Sequence, residues 1–200
     1  MKLVVLAEKE IFENFKTHYA NAECTLVKTP AQFLQHSNAD AFFDLQETAF
    51  ANEHPTVNKP LFLNSVINTI CFNKDAIRIN GWPGFIENNS WEISGQITPE
   101  AKNVLNFLNK KIIECGNEPG FISARIIAMI INEAYFALEE KVSTESEIDT
   151  AMKLGTNYPY GPFEWAHKIG IKNVFALLKK LAEQDSRYQP STLLQKSAEN

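Results

Sequence analysis

The sequence predicts an α/β half followed by an all-α half. Three features point to it: a bare aliphatic run at Leu3–Ala7, short apolar runs alternating with helical stripes as far as Ile93, and a helical period from Thr98 onward. The expected split leaves an α/β domain over residues 1–96 and an all-α domain over 97–200.

Leu3–Ala7 is uninterrupted by any polar residue, the pattern of a strand covered on both faces. Ile11, Phe12, Phe15 and Tyr19 then share one helical stripe. Thr25–Thr29 reads as a second strand ended by Pro30, and residues 31–37 as a brief helix using Phe33 and Leu34. Ala41–Leu45 and Pro60–Leu63 read as the third and fourth strands, separated by a polar, proline-marked loop over 49–59. Thr69–Phe72, Ala76–Ile79 and Ser90–Ile93 are further strand candidates. This rhythm suits a parallel sheet with crossover helices.

Thr98 followed by Pro99 is an N-cap with proline at the first helical position. Ala101, Val104, Leu105, Leu108 and Ile112 line one face of that helix, with Gly116 as its expected stop. The helix after Pro119 is apolar nearly all round (Ile122, Ile126, Ile127, Ile130, Ile131), which suits a domain centre or a subunit partner. Thr144-x-x-Glu147 is a capping box for a helix ending at Gly155. A last helix over 171–184 buries Ile171, Val174, Phe175, Leu178 and Leu181, and the polar tail after Arg187 reads as loose.

A hydrophobic content of 44% over 200 residues can bury an ordinary core. A net charge of −5 and a pI near 5.4 argue against a nucleic-acid partner, whose phosphates need a basic face. Cys24, Cys71 and Cys115 lie far apart with no Cys-x-x-Cys pair, the usage of reduced thiols in a cytoplasmic protein. The opening apolar run is too short for a signal peptide or a membrane span, so no membrane partner is expected.

Three motifs stand out in the second half: Pro119-Gly-Phe-Ile122, Ile148-Asp-Thr-Ala-Met-Lys-Leu-Gly155 and Tyr158-Pro-Tyr-Gly-Pro-Phe-Glu164. In this order and at these separations they resemble the C-terminal helical domain of the 3-hydroxyacyl-CoA dehydrogenases. The resemblance covers residues 97–194 well and 1–96 only in outline. It implies a truncated Rossmann-like parallel-sheet domain followed by a 3-hydroxyacyl-CoA dehydrogenase C-terminal-like helical domain that pairs as a homodimer.

In that family the first strand leads into a glycine-rich turn that lets backbone N–H groups meet a pyrophosphate. Here it runs straight into Glu8-Lys9-Glu10, and no glycine occurs before Gly81. Glu8 and Glu10 read instead as favouring a helix N-terminus. Val27-Lys28-Thr29 supplies no acid for a ribose. No cofactor is therefore expected, with NAD only if an active enzyme is assumed.

The catalytic set that the resemblance implies is likewise depleted. Its Asn-Thr-Ser segment corresponds to Asn64-Ser65-Val66, placing Val66 where the substrate-contacting serine belongs. Its histidine base and orienting glutamate fall on Asn80 and Glu92, twelve residues apart. An asparagine cannot take a proton from a hydroxyl near neutral pH as imidazole does. The asparagine before the arginine in Pro-Gly-Phe-Ile-x-Asn-Arg is Ala124, beside Arg125. Of the four polar groups only Glu92 survives.

None of His18, His36, His54 and His167 pairs with a carboxylate at catalytic or metal spacing, and each reads as solvated or structural. Asp44 sits where the family often places a glutamate near the nicotinamide and reads as a strand-end polar residue. Trp82, Phe85 and Trp91 read as core, with an acyl or adenine pocket as the alternative. Candidate ligand-binding residues are Asn64, Ser65, Asn80, Trp82 and Arg125, with Glu92 the candidate catalytic residue. Three functions compete: a catalytically degenerate relative binding an acyl-CoA-like ligand or a protein partner, an active oxidoreductase of 3-hydroxyacyl-CoA, and a structural subunit.

Overall fold

The computed structural model describes residues 1–47, 54–69 and 76–200, which form two compact units, Met1–Phe121 and Ile122–Asn200. The described part of the first unit is built on one sheet of order β2-β1-β3-β4-β5-β6-β7. Its strands are β1 (Lys2–Leu6), β2 (Glu23–Val27), β3 (Ala41–Asp44), β4 (Leu61–Asn64), β5 (Ala76–Ile79), β6 (Ser90–Ser94) and β7 (Lys111–Glu114). β5 and β6 pair antiparallel, and every other neighbouring pair is parallel. Helix α1 (Lys9–His18) carries the crossover from β1 to β2, and α2 (Pro99–Phe107) that from β6 to β7.

The aliphatic run of β1 is explained by its period of two. Leu3 and Val5 join Phe12 and Phe15 of α1 and Ala101, Val104 and Leu105 of α2 in one core layer. Val4 and Leu6 join Phe33, Phe42, Leu61 and Leu63 in the other. Because both layers are dry, β1 has no place for a polar side chain. Phe43 and Phe62 stack at 4.7 Å on neighbouring strands, and Trp91 closes edge-on over both, so Trp91 is core. Each such ring contributes roughly 1.5–3 kcal/mol by burial.

The structure corrects several expectations. The compact units divide after Phe121, later than residue 96, so α2 belongs with the sheet. The helix expected to run to Gly116 ends at Phe107. Asn109 turns left-handed at φ 55°, Lys110 N–H bonds back to the Leu105 carbonyl, and β-branched Ile112 and Ile113 continue as β7. The brief helix expected over 31–37 is a 3₁₀ helix at Pro30–Gln35 that buries Phe33 but leaves Leu34 exposed. The strand expected at Thr69–Phe72 falls, apart from Thr69, outside the described residues, as do Cys71 and residues 49–53 of the expected loop.

The second unit comprises α3 (Ser123–Glu139), α4 (Glu145–Thr156), α5 (Pro162–Ile169), α6 (Ile171–Ala182) and α7 (Thr192–Glu199). α3 buries Ala124, Ile127, Ala128, Ile131, Ala134 and Tyr135 but leaves Ile122, just before it, and Ile126 about half exposed. The capping box at Thr144 and Glu147 opens α4 as expected. The tail is ordered rather than loose. Ser191 caps α7, Leu194 and Ala198 are buried one turn apart, and the Asn132 amide bonds Gln189 O at 2.9 Å and Ser191 N at 2.9 Å. Asn132 lies far away in sequence, so no local pattern announces that anchor.

Candidate functional site

Ligands of open α/β sheets bind beyond the carboxyl ends of the strands. In this unit those ends carry Asp44, Glu47, Asn64, Ser65, Asn80 and Gly81. Asn64, the last residue of β4, donates Nδ2 to the Leu45 carbonyl at 3.1 Å and accepts the Gly81 N–H on Oδ1 at 3.0 Å. A Cβ at Gly81 would come within 2.9 Å of the Asn64 side chain, so this junction requires glycine.

Asn80 and Glu92, aligned through the histidine and glutamate of the resemblance, meet in space. Asn80 Nδ2 donates to Glu92 Oε2 at 3.0 Å, and both side chains are buried. Backbone pairing adds Asn80 N–H to Glu92 O at 3.2 Å. The other end of the amide, Oδ1, is buried with no hydrogen-bond partner among the described residues. The amide itself has no group that takes up a proton near neutral pH.

Ser65 and Val66 serve the scaffold. Ser65 Oγ donates to Asn68 O at 2.8 Å, and Val66 is fully buried. The buried Arg78 guanidinium donates to the carbonyls of Ser65, Val66 (3.3 Å) and Glu118 (2.6 Å) and to Asn117 Oδ1 (3.2 Å). It also lies 4.1 Å from the Phe121 ring centroid. Gly120 N–H reaches Val66 O at 2.7 Å, and the chain turns through φ 89° at Gly120 and 47° at Phe121. The Pro-Gly-Phe start is therefore a pinned backbone reversal. Ala124 is buried on α3, and Arg125 follows it, both in the second unit.

Two groups escaped sequence reasoning. Glu47 accepts the N–H groups of Val66 (3.1 Å) and Ile67 (2.8 Å) on one oxygen and the Trp82 indole N–H (2.5 Å) on the other. Trp82 is buried with its polar edge bonded to that carboxylate, so packing accounts for its position. Enclosure pushes the Glu47 carboxyl up to about 7, despite donors and Arg78 that pull the other way. An acid three residues beyond β3 was a signal for this group. The second is His54, whose Nε2 lies 2.8 Å from Asp44 Oδ2, with both side chains buried and its ring stacked on Phe33. This corrects the expectation that no histidine pairs with a carboxylate. The bond spans ten residues and has no local signature.

At the first turn only Ala7 and Glu8 separate β1 from α1. Glu8 is the N-cap residue in extended conformation, and Glu10 stands in the first turn. Side chains and two carboxylates where a pyrophosphate needs bare backbone N–H groups do not fit a dinucleotide. Among the described residues, no group of three metal-ligating side chains converges, and no helix is long and apolar enough to cross a membrane.

Residues 120–200 match the family described as 3-hydroxyacyl-CoA dehydrogenase, C-terminal domain. The chain is 41% identical to the 3-hydroxyadipyl-CoA dehydrogenase of Escherichia coli (strain K12) over 103 residues, 50% of this chain and 22% of that protein. It thus spans well under half the length of that relative. The crystal structure of 3-hydroxybutyryl-CoA dehydrogenase from Escherichia coli K12 superposes with a TM-score of 0.58 at 28% identity, covering 72% of this chain and 32% of that one. That of (S)-3-hydroxybutyryl-CoA dehydrogenase from Ralstonia eutropha covers 98% of this chain and 92% of that one, with a TM-score of 0.68 at 17% identity, a likeness of fold.

Proposed function

We propose that this chain, whose residues 120–200 match the 3-hydroxyacyl-CoA dehydrogenase C-terminal domain, is a catalytically degenerate relative that binds an acyl-CoA-like ligand without oxidising it. The observation behind this reading is the Asn80–Glu92 pair, which keeps an orienting carboxylate bonded at 3.0 Å to an amide in place of a base. The glycine-free first turn, with Glu8 at the helix cap, supports the same reading by opposing nucleotide phosphate.

The preserved motifs are explained by packing. Asp149 caps α5, Glu164 bonds the Gly161 N–H at 2.9 Å, and Arg78 pins the Pro-Gly-Phe turn. Motifs that a fold needs survive the loss of chemistry. A second copy of this chain is the proposed protein partner, because Ile122 and Ile126 expose apolar surface one turn apart.

Calorimetric titration with NADH and then with acetoacetyl-CoA tests the reading. Binding of the CoA ester alone is expected. Micromolar NADH binding would favour the active oxidoreductase, and failure to bind either would favour a purely protein-binding role.

A further inference from the structure

We infer that β7 is a docking edge for a second copy of this chain: two β7 strands pair antiparallel about a two-fold axis at Ile113, joining two sheets into one. This surface lies on the first unit and goes beyond the ligand-binding reading above.

β7 is the last strand of the sheet and pairs on one side only, with β6. Lys111 N–H donates to Asn89 O and Cys115 N–H to Ile93 O, both at 2.8 Å, so these residues face β6. Main-chain groups alternate sides along a strand, so Ile113 faces β6 as well, while Ile112 and Glu114 aim their N–H and C=O groups outward. Neither outward N–H has a partner among the described residues. Lys111, Ile113 and Glu114 are exposed, Ile113 at 41%. β7 has neither a proline nor a break in its register, the usual devices that blunt an edge. The opposite edge is treated differently: just past β2, Gln32 Oε1 accepts the Lys28 N–H at 2.7 Å and the Thr29 N–H at 3.1 Å.

A second copy fits because the edge is complementary to itself. A two-fold axis normal to the sheet keeps each residue on its own face, so outward residues must meet outward residues. With the axis at Ile113, Ile112 of each copy meets Glu114 of the other. Each such pair exchanges its N–H and C=O groups, so every outward group of both strands is used. The two Ile113 side chains then stand opposite on the axis, in the closer, non-hydrogen-bonded pair. Moving the axis to Ile112 would set Glu114 against Lys110, whose N–H is already bonded to Leu105 O at 2.9 Å. Moving it to Glu114 would set two like charges directly opposite. Hydrogen-bond supply and charge therefore select Ile113.

The test is amide hydrogen exchange of the full chain, resolved by residue, at about 10 µM and at about 1 mM. A contact this small is transient. For a dissociation constant on the order of 100 µM, exchange at Ile112 and Glu114 is expected to slow about fivefold over that range by mass action. The Ile122→Ser/Ile126→Ser chain is expected to show the same slowing, which separates this edge from the apolar contact proposed above. Ile113→Lys, which sets two ammonium groups across the axis, is expected to abolish it. Should Ile113→Lys fail to fold by thermal melt, Glu114→Pro removes an outward donor that β6 does not use and is expected to abolish the slowing at Ile112. Rates at Ile112 and Glu114 that ignore concentration overturn the inference and leave the edge to an extended segment of another protein. Slowing that survives these variants, or that spreads over the whole chain, overturns it as well.

Discussion

The Oδ1 atom of Asp149 stands 2.3 Å from where a Cβ on Gly161 would lie. That carboxylate accepts the N–H groups of Phe163 at 2.8 Å and Glu164 at 3.2 Å, so a side chain on α4 caps the start of α5 across the turn. The Ile-Asp and Gly-Pro-Phe-Glu motifs are two halves of this one contact.

Asp149→Ala should lower stability by about 1–2 kcal/mol through loss of the cap. Gly161→Ala should lower it by about 1–3 kcal/mol through overlap with the carboxylate. The double variant should lose less than the sum, because removing Asp149 vacates the space the new methyl needs. Melting temperatures followed by circular dichroism decide, and strict additivity would refute the coupling.

Arg78→Met should destabilise the first unit by about 3 kcal/mol or more, since three carbonyls and the Asn117 amide lose a buried donor. Arg78→Lys should recover only part of this, because one ammonium cannot span the fork that a guanidinium fills. Urea unfolding reports the difference, and a lysine variant as stable as wild type would contradict the account.

Glu47 has a carboxyl raised from 4.5 to about 7. Between those values the folded chain holds a proton that the unfolded chain has released, so this group's contribution is fully present below about pH 4.5 and lost as pH rises through 7. Stability of the wild type relative to Glu47→Gln should therefore fall over this window by about 1–3 kcal/mol. A difference between the two proteins that stays flat from pH 4.5 to 7 would remove Glu47 as the cause.

If Ile122 and Ile126 face a second copy, replacing both with serine should convert a dimer to the 22.6 kDa species in sedimentation at low micromolar concentration. A wild type already monomeric there would sink the dimer.

Much of the fold was legible because local rules sufficed. The run in β1, the Thr98 and Thr144 caps and the stripe of α1 are one-dimensional signals of burial and capping. The Asn80–Glu92 pairing was legible as a spacing carried by the resemblance, and the strands β5 and β6 bring it to 3.0 Å. β7 was missed because Leu108 and Ile112 also fit a helical face, while the left-handed turn at Asn109 left no glycine to mark the break. His54 and Asn132 were missed because their partners, Asp44 and the 189–191 segment, come from other parts of the chain.

The sequence by itself determined the two-part character of the chain, its helical motifs, the asparagine rather than histidine at position 80 and the glycine-free first turn, since these depend on which residues are present. Tertiary structure alone decided that β7 completes the sheet, that Arg78 pins the Pro-Gly-Phe turn, that Asp149 caps α5, and that Asn80 bonds Glu92. Burial and hydrogen-bond satisfaction are properties of neighbours, and those neighbours are chosen only when distant segments pack.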